Sequence, residues 1–213
     1  MDKRAIILET ADMVKEKLKN EGTGHDWYHI KRVWKTAQSI GEQEKANLFI
    51  IEMAALLHDL IDDKLVKDAS IAAEEVEYWL EGAGVHSKDM ESIISIIHSI
   101  SFKGGGNRSS LSLEGQIVQD ADRLDAIGAI GIGRCFSYAG SKGHVMFDPE
   151  LSVREQMTEK EYREGKTSAI HHFYEKLLKL KDLMNTESGK QLAEDRHAFM
   201  EDFLVQFFEE WGE

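Results

Sequence analysis

The sequence predicts an all-α fold, and three observations support that prediction. Apolar residues recur at helical spacing along most of the chain, the alternation typical of strands is scarce, and the 213 residues include a single proline, Pro149. This length suits one domain and is sufficient to bury most of a core. We therefore predict a single-domain helical bundle over residues 1–213.

Apolar stripes, capping residues and glycines place the helices in order along the chain. Ser70 and Ser87 are candidate N-caps. The small residues from Ala126 to Gly133 would let another helix approach closely, and residues 101–112 and 139–157 are predicted loops. The predicted helices cover residues 2–19, 25–41, 46–59, 70–80, 87–98, a stretch that begins at 113, 167–185 and 186–211.

Charge and composition narrow the classes of function. The net charge of −13 argues against a binding site for a nucleic acid polymer, which needs a basic stripe, but still allows a small anionic substrate. Cys135 is the single cysteine, so neither an internal disulfide nor a thiolate-rich zinc site is expected. The sequence has no apolar run of membrane-spanning length and no signal-peptide pattern. We expect a cytoplasmic protein that has no membrane partner.

One stretch carries an unusual density of titratable groups. The apolar run 50–57 ends in a histidine and three carboxylates within six residues: His58, Asp59, Asp62 and Asp63. Such a cluster at the end of a buried element would cost several kcal/mol if it stayed charged and unpaired. A divalent cation is the simplest way to neutralise it.

The other histidines divide into two groups. His29 and His98, like His58, lie in or at the end of apolar helical stretches, which makes them candidates for a site. His25-Asp26 precedes a predicted helix, and we interpret this pair as a helix cap because Asp26 is a common N-cap residue, although a cap does not exclude a functional role. Surface or satisfied core positions are expected for His86, His144, His171, His172 and His197.

Taken together, these residues resemble a known family. His29, then His58-Asp59, then Asp122 in Ala-Asp-Arg follow the ordered H…HD…D pattern of the HD superfamily of metal-dependent phosphohydrolases. The tail 167–211 also looks like a subgroup of small bacterial HD hydrolases. The resemblance implies an HD-type helical domain with its metal-site core at about residues 25–125 and C-terminal helices 158–211 packing on that core.

The resemblance also implies a set of site residues. His29, His58, Asp59 and Asp122 would be the ligands of one divalent metal ion, and Mn, Mg, Fe, Co or Ni suits such a mixed nitrogen and oxygen set. By position in the motif, Asp62 would orient or deprotonate the attacking water, with Asp63 assisting. The residues that would bind substrate are Arg32, Lys103 and His98, although Arg32 and Lys103 also suit solvated surface charges.

These residues lead to an expected function with alternatives. We expect a metal-dependent phosphohydrolase of small phosphorylated metabolites, nucleotides above all, and favour cleavage of a nucleoside triphosphate to monophosphate and pyrophosphate. A nucleotide phosphomonoesterase is one alternative, and a non-catalytic metal- or nucleotide-binding sensory module is another. The expected partner is thus a small phosphorylated molecule, and a homodimer is left open.

Overall fold

A computed structural model describes residues 2–19, 21, 24–61, 68–100, 111–154 and 165–212. Over these ranges the regular secondary structure is helical, without a strand, so the all-α prediction is confirmed. The chain divides into two compact units, Met1–Ala121 and Asp122–Glu213, and the division falls inside one helix.

The first unit is organised around one buried helix. Helix α3 is apolar except for Glu52, and every residue from Phe49 to Leu57 is buried, as expected for a helix with no polar face. It packs against α1, α2 and α5 and continues into a 3₁₀ turn, His58–Ile61. The helices of this unit are α1 (Lys3–Lys17), α2 (Trp27–Gln43), α3 (Leu48–Leu57), α4 (Ala69–Gly82), α5 (Ser87–Ile100) and α6 (Leu113–Asp125), of which α6 ends in the second unit.

Glu52 is an acidic residue inside the otherwise apolar α3, and its carboxylate is satisfied. It accepts a hydrogen bond from the Trp34 indole nitrogen at 2.8 Å, and Arg4 lies 3.5 Å from the same oxygen. A buried carboxylate is tolerated when it is paired in this way. Trp34 is half-buried on α2, and its indole nitrogen bonds to a polar partner on α3.

Aspartates begin three helices of the first unit, and the first of them, Asp2, caps α1 by accepting a hydrogen bond from the Arg4 backbone nitrogen at 3.3 Å. Asp26 caps α2 by accepting a hydrogen bond from the His29 backbone nitrogen at 2.8 Å, as the sequence predicts for this pair. The expectation that Ser70 caps α4 is wrong. Asp68 is the N-cap and accepts from the Ser70 backbone nitrogen at 2.9 Å, because a carboxylate two residues earlier reaches the same orphan donors.

The second unit contains α7 (Gly128–Ser141), α8 (Ala169–Glu175) and α9 (Glu187–Trp211). Helix α7 packs against both α8 and α9, and the long α9 follows the N-cap Thr186, one of the two starts that the sequence allows beside Ser188. Aromatic side chains fill much of this packing, among them Phe136, Phe147, Phe173, Phe203 and Phe207.

The predicted continuous helix over 167–185 is wrong. Helix α8 ends at Glu175, Lys176 has a φ of −139°, and two 3₁₀ turns follow at Leu177–Lys179 and Lys181–Leu183. In a 3₁₀ turn side chains three residues apart share a face, so Leu177 and Leu180 are both buried. Residues three apart are also neighbours on an α-helix, so the spacing of these two leucines does not by itself distinguish one form from the other.

None of the helices in the described ranges is both long and apolar enough to cross a membrane.

Candidate metal centre

Three of the four predicted metal ligands meet in the first unit. His58 and Asp59 form the start of the 3₁₀ turn that ends α3, and their exposed fractions are 6% and 4%. His29 lies in the first turn of α2 and is completely buried. Because α2 packs along α3, the structure brings the side chain of His29 to the end of the neighbouring helix.

The Asp59 carboxylate is the centre of this cluster. Its Oδ2 lies 3.3 Å from His29 Nε2, and its Oδ1 lies 3.3 Å from His58 Nε2. The His29 and His58 rings face each other edge-on, with centroids 5.5 Å apart. Two imidazole nitrogens and a carboxylate therefore converge from two helices.

A backbone contact decides which nitrogen of His58 faces the carboxylate. His58 Nδ1 lies 2.9 Å from the Ala55 carbonyl oxygen, and a carbonyl can only accept, so Nδ1 carries the proton. In the neutral imidazole the lone pair is then on Nε2, the nitrogen on the Asp59 side. Histidines that bind metals are commonly fixed in this manner, with the other ring nitrogen donating to a carbonyl.

The protonation of Asp59 also suits a ligand. Burial by itself would raise the pKa of Asp59, but the electrostatic interaction with the His58 imidazole, the hydrogen bond from His25 and the nearby imidazole of His29 lower this pKa well below its usual range. Asp59 is therefore ionised at neutral pH, the state in which a carboxylate coordinates a cation.

The donor set fits a divalent metal ion. His25, His29 and Asp59 each offer a ligand atom, and these atoms lie within 4.8 Å of one another. Imidazole nitrogen with carboxylate oxygen is the mixture used for divalent first-row metals. The thiol of Cys135, whose pKa burial raises to about 12, stays protonated and is unsuited as a ligand.

Asp122, the fourth predicted ligand, begins the second unit and is half-buried on the last turns of α6. The end of this helix is held by arginines. Arg134 binds the Asp125 carboxylate at 2.7 Å, and Arg196 donates to the Leu124 carbonyl oxygen. Cations at a helix C-terminus satisfy its last carbonyls and favour its dipole. The ligand role of Asp122 stays a prediction from the sequence motif.

Of the five predicted catalytic and substrate-binding residues, the structure describes two. Asp62, Asp63 and Lys103 lie outside the described residues. Arg32 is half-buried on α2, one turn after His29, and His98 is exposed near the end of α5. The roles assigned to all five of these residues stay predictions.

The sequence interpretation missed one member of the cluster. The cap predicted for His25-Asp26 is confirmed through Asp26, and His25, for which no metal-site role was predicted, has its Nδ1 at 2.9 Å from Asp59 Oδ2. The sequence did contain a signal, because His25 and His29 are four residues apart. In the structure their rings meet edge-on, with centroids 5.6 Å apart. Such a sequence spacing normally places two side chains on one face of a helix, although His25 precedes α2.

The protein is therefore an all-α protein with a candidate metal centre. This centre consists of a buried His-Asp pair at the end of a core helix and a second histidine on the adjacent helix. The family model of the HD domain matches residues 26–127, a range that includes His29, His58, Asp59 and Asp122. The chain belongs to the HD-domain superfamily.

Known relatives match almost the whole chain. YpgQ of Bacillus subtilis (strain 168) is 47% identical over 191 residues, which cover 89% of this chain and 85% of YpgQ. The crystal structure of YpgQ in complex with ADP has a TM-score of 0.76 at 42% identity and covers 96% of each chain. These matches extend well beyond the range of the HD domain model.

Two further solved structures are similar over nearly their full length. A protein from Lactobacillus plantarum has a TM-score of 0.86 at 42% identity, covering 98% of this chain and 97% of that one. An HD-superfamily hydrolase from Bacillus thuringiensis has a TM-score of 0.79 at 46% identity, covering 99% and 98%. The family is therefore shared with a protein described as a hydrolase.

Proposed function

We propose that this chain is a divalent-metal-dependent phosphohydrolase of small phosphorylated metabolites, with nucleotides as its substrates. The observation that carries the proposal is the convergence of His29, His58 and Asp59, in which Asp59 lies 3.3 Å from both imidazoles. The relatives support it, since one is an HD-superfamily hydrolase and YpgQ forms a complex with ADP. The favoured reaction converts a nucleoside triphosphate and water to a monophosphate and pyrophosphate.

In this proposal His29, His58, Asp59 and Asp122 hold one divalent ion, with Mn, Mg, Fe, Co and Ni as the candidates. An ion held by these residues would supply Lewis-acid chemistry, lowering the pKa of a bound water and polarising a phosphoryl oxygen. The protein contributes rigidity, because His58 and Asp59 belong to the buried end of α3 and His29 is fully buried on α2. Preorganised donors of this kind need no rearrangement when the reaction begins.

The remaining predicted residues supply proton transfer and charge. Asp62, with Asp63 assisting, would take a proton from a water molecule while the oxygen of that water forms a bond to the α-phosphorus. The bond between the α-phosphorus and the oxygen that bridges to the β-phosphorus breaks, and pyrophosphate leaves with the electron pair. Arg32, Lys103 and His98 would bind the phosphate oxygens, on which negative charge accumulates.

The catalytic-base assignment has its own test. Replacing Asp62 by asparagine keeps the size of the side chain but removes the proton acceptor. The Asp62→Asn protein should bind Mn²⁺ normally and lose about 100-fold or more in turnover, the range for removal of a general base. Normal metal binding together with full turnover would contradict the assignment.

The reaction is tested by product identity. Nucleoside triphosphates, their deoxy forms and nucleoside monophosphates are incubated with the full chain and Mn²⁺, and pyrophosphate and phosphate are measured separately. We expect pyrophosphate from triphosphates. Phosphate from monophosphates alone would favour the phosphomonoesterase, and no release with any of the candidate metals would favour the binding module.

A pair of histidine variants connects turnover to the cluster. His58→Ala should lose at least about 100-fold, since even residues that only orient a metal ligand cost 10- to 100-fold when removed. The matched control is His86→Asn. His86 is exposed, and its Nδ1 accepts from the Lys88 backbone nitrogen at 3.3 Å, an interaction that asparagine can also make. This control should keep full activity.

A further inference from the structure

His25 lies immediately before α2 and has a contact that helix capping does not explain. Gly24 has a φ of 97°, a left-handed conformation that glycine adopts without strain, and this turn leads the chain into the helix. Asp26 then provides the cap through the His29 backbone nitrogen. The side chain of His25 takes no part in that cap and instead reaches Asp59 on the 3₁₀ turn after α3.

The contact has a defined direction. His25 Nδ1 lies 2.9 Å from Asp59 Oδ2, and the ionised carboxylate can only accept, so Nδ1 is the donor. Hydrogen bonds to a charged acceptor are roughly twice as strong as neutral ones. The Asp59 side chain is 5% exposed and that of His25 is 23% exposed, so water competes little for this oxygen.

The contact is selective for one of the two carboxylate oxygens. Oδ2 is held by His25 at 2.9 Å and lies 3.3 Å from His29, whereas Oδ1 faces His58 at 3.3 Å. A carboxylate rotates easily about its last torsion angle, which has broad minima. A donor at a hydrogen-bonding distance from Oδ2 therefore fixes the plane of the Asp59 carboxylate with respect to both imidazoles.

We propose that His25 is a positioning residue, which orients Asp59 for metal binding through the Nδ1–H to Oδ2 hydrogen bond. The inference rests on the proposed function, because Asp59 must be a metal ligand for its orientation to matter. It assigns His25 a purpose that neither the H…HD…D pattern nor a cap includes. Carboxylate ligands that are themselves hydrogen-bonded are a general feature of protein metal sites.

Three substitutions of His25 separate positioning from other roles. Asparagine places an N–H donor where His25 has Nδ1, glutamine moves the donor one atom further out, and alanine removes it. Mn²⁺ affinity is measured by titration calorimetry on the full chain, and thermal unfolding without metal verifies that each variant is folded. Turnover is not needed for this measurement.

The expected result is a graded loss of affinity. His25→Ala and His25→Gln should bind Mn²⁺ about 10- to 100-fold more weakly, which is the usual cost of removing a partner of a metal ligand. His25→Asn should restore affinity to within a few-fold of the unaltered chain. Rescue by asparagine but not by glutamine identifies the Nδ1 hydrogen bond, because a general packing defect would not respond to the position of the donor.

Other outcomes overturn the inference in distinguishable ways. Unchanged affinity in His25→Ala would refute the positioning role of His25 and would leave the proposed metal site standing. Two Mn²⁺ ions per chain, with one lost in His25→Asn, would make His25 a ligand instead. If the unaltered chain binds none of the candidate metals, the proposed function fails and positioning fails with it.

Discussion

Glu175 in the second unit shows how a single residue accommodates a buried charge. Its side chain is 1% exposed, and Arg154 binds it with two nitrogens, Nε to Oε1 and Nη2 to Oε2, each at 2.7 Å. The Thr167 hydroxyl donates to Oε2 at 3.1 Å. This paired arrangement joins the segment before the undescribed residues 155–164 to the end of α8.

Glu175 therefore predicts part of the acid sensitivity of the fold. Burial raises the pKa of Glu175, but Arg154 and Thr167 outweigh burial, so the pKa is lowered from the ordinary value of 4.5. A lowered folded pKa means that the stabilisation is complete above 4.5 and is lost as pH falls through the folded pKa. The free energy of unfolding, measured with urea at several pH values, should fall more steeply below that point in the unaltered chain than in Glu175→Gln.

At neutral pH the Glu175→Gln variant should be less stable by about 1–3 kcal/mol, the cost of weakening a buried charged hydrogen bond. A conservative exposed change in the interior of α9, Glu194→Gln, is the control and should leave both the stability and its pH dependence nearly unaltered. Parallel pH curves for the unaltered chain and Glu175→Gln would contradict the assigned pairing.

At the residue scale the sequence pointed to candidate metal ligands more readily than to the residues that surround them. His29 and His58-Asp59 were recognisable because apolar helical stretches and a family pattern surround them. His25 was not, since its partner Asp59 lies 34 residues further along the chain and the contact depends on how α2 packs against α3. The Arg154–Glu175 pair escaped prediction for the same reason, because nothing local connects a loop residue to the end of α8.

At the scale of elements, the corner between α6 and α7 depends on close approaches. Gly128 has a φ of 72°, and a Cβ there would lie 3.0 Å from Arg196 Cβ and Cγ on α9. A Cβ on Gly131 would lie only 2.2 Å from the Ala126 carbonyl oxygen. The small-residue run was predicted to admit a neighbouring helix, and α9 does pack against α7. The tighter steric limit, at Gly131, is set by the backbone of Ala126 in the corner itself.

Two glycine substitutions in α7 should have opposite effects. Gly131→Ala forces the Ala126 carbonyl to move and should lower the free energy of unfolding by about 1–3 kcal/mol, the usual cost of overpacking. Gly133→Ala is the matched control, because a Cβ there meets nothing within 4 Å. It should be neutral or stabilise by up to about 1 kcal/mol, since alanine is the better helix former. Urea unfolding of both variants measures the difference, and equal destabilisation would contradict the close approach.

Helix prediction succeeded where burial and local preference agreed. Helix α3 is apolar except for Glu52, and no other element type fits that pattern at its length. The stretch after Glu175 failed, because its leucines suit either one α-helix or short 3₁₀ turns. That choice is made by the surrounding core, and the spacing of apolar residues alone does not contain it.

At the scale of the whole molecule, the excess of acidic residues means that binding of a metal at a specific site must be distinguished from weak binding to the surface. The sequence has 39 acidic and 26 basic residues, so Mn²⁺ will be attracted weakly to many surface carboxylates. A true site differs because its ligands converge only in the folded chain, which makes binding free energy part of folding free energy. The two kinds of binding can be separated by how stability depends on metal concentration.

The free energy of unfolding of the full chain should rise with Mn²⁺ once the concentration exceeds the dissociation constant. For one site the increase is about 1.4 kcal/mol for each tenfold rise in free metal, because only the folded state binds. His86→Asn, which changes an exposed histidine, should show the same slope, and His58→Ala should show nearly none. The measurement is urea unfolding over a series of Mn²⁺ concentrations at fixed ionic strength. An equal slope in His58→Ala would mean that the stabilising ion binds elsewhere, since without His58 the cluster keeps only one of the two imidazoles that face Asp59 at 3.3 Å.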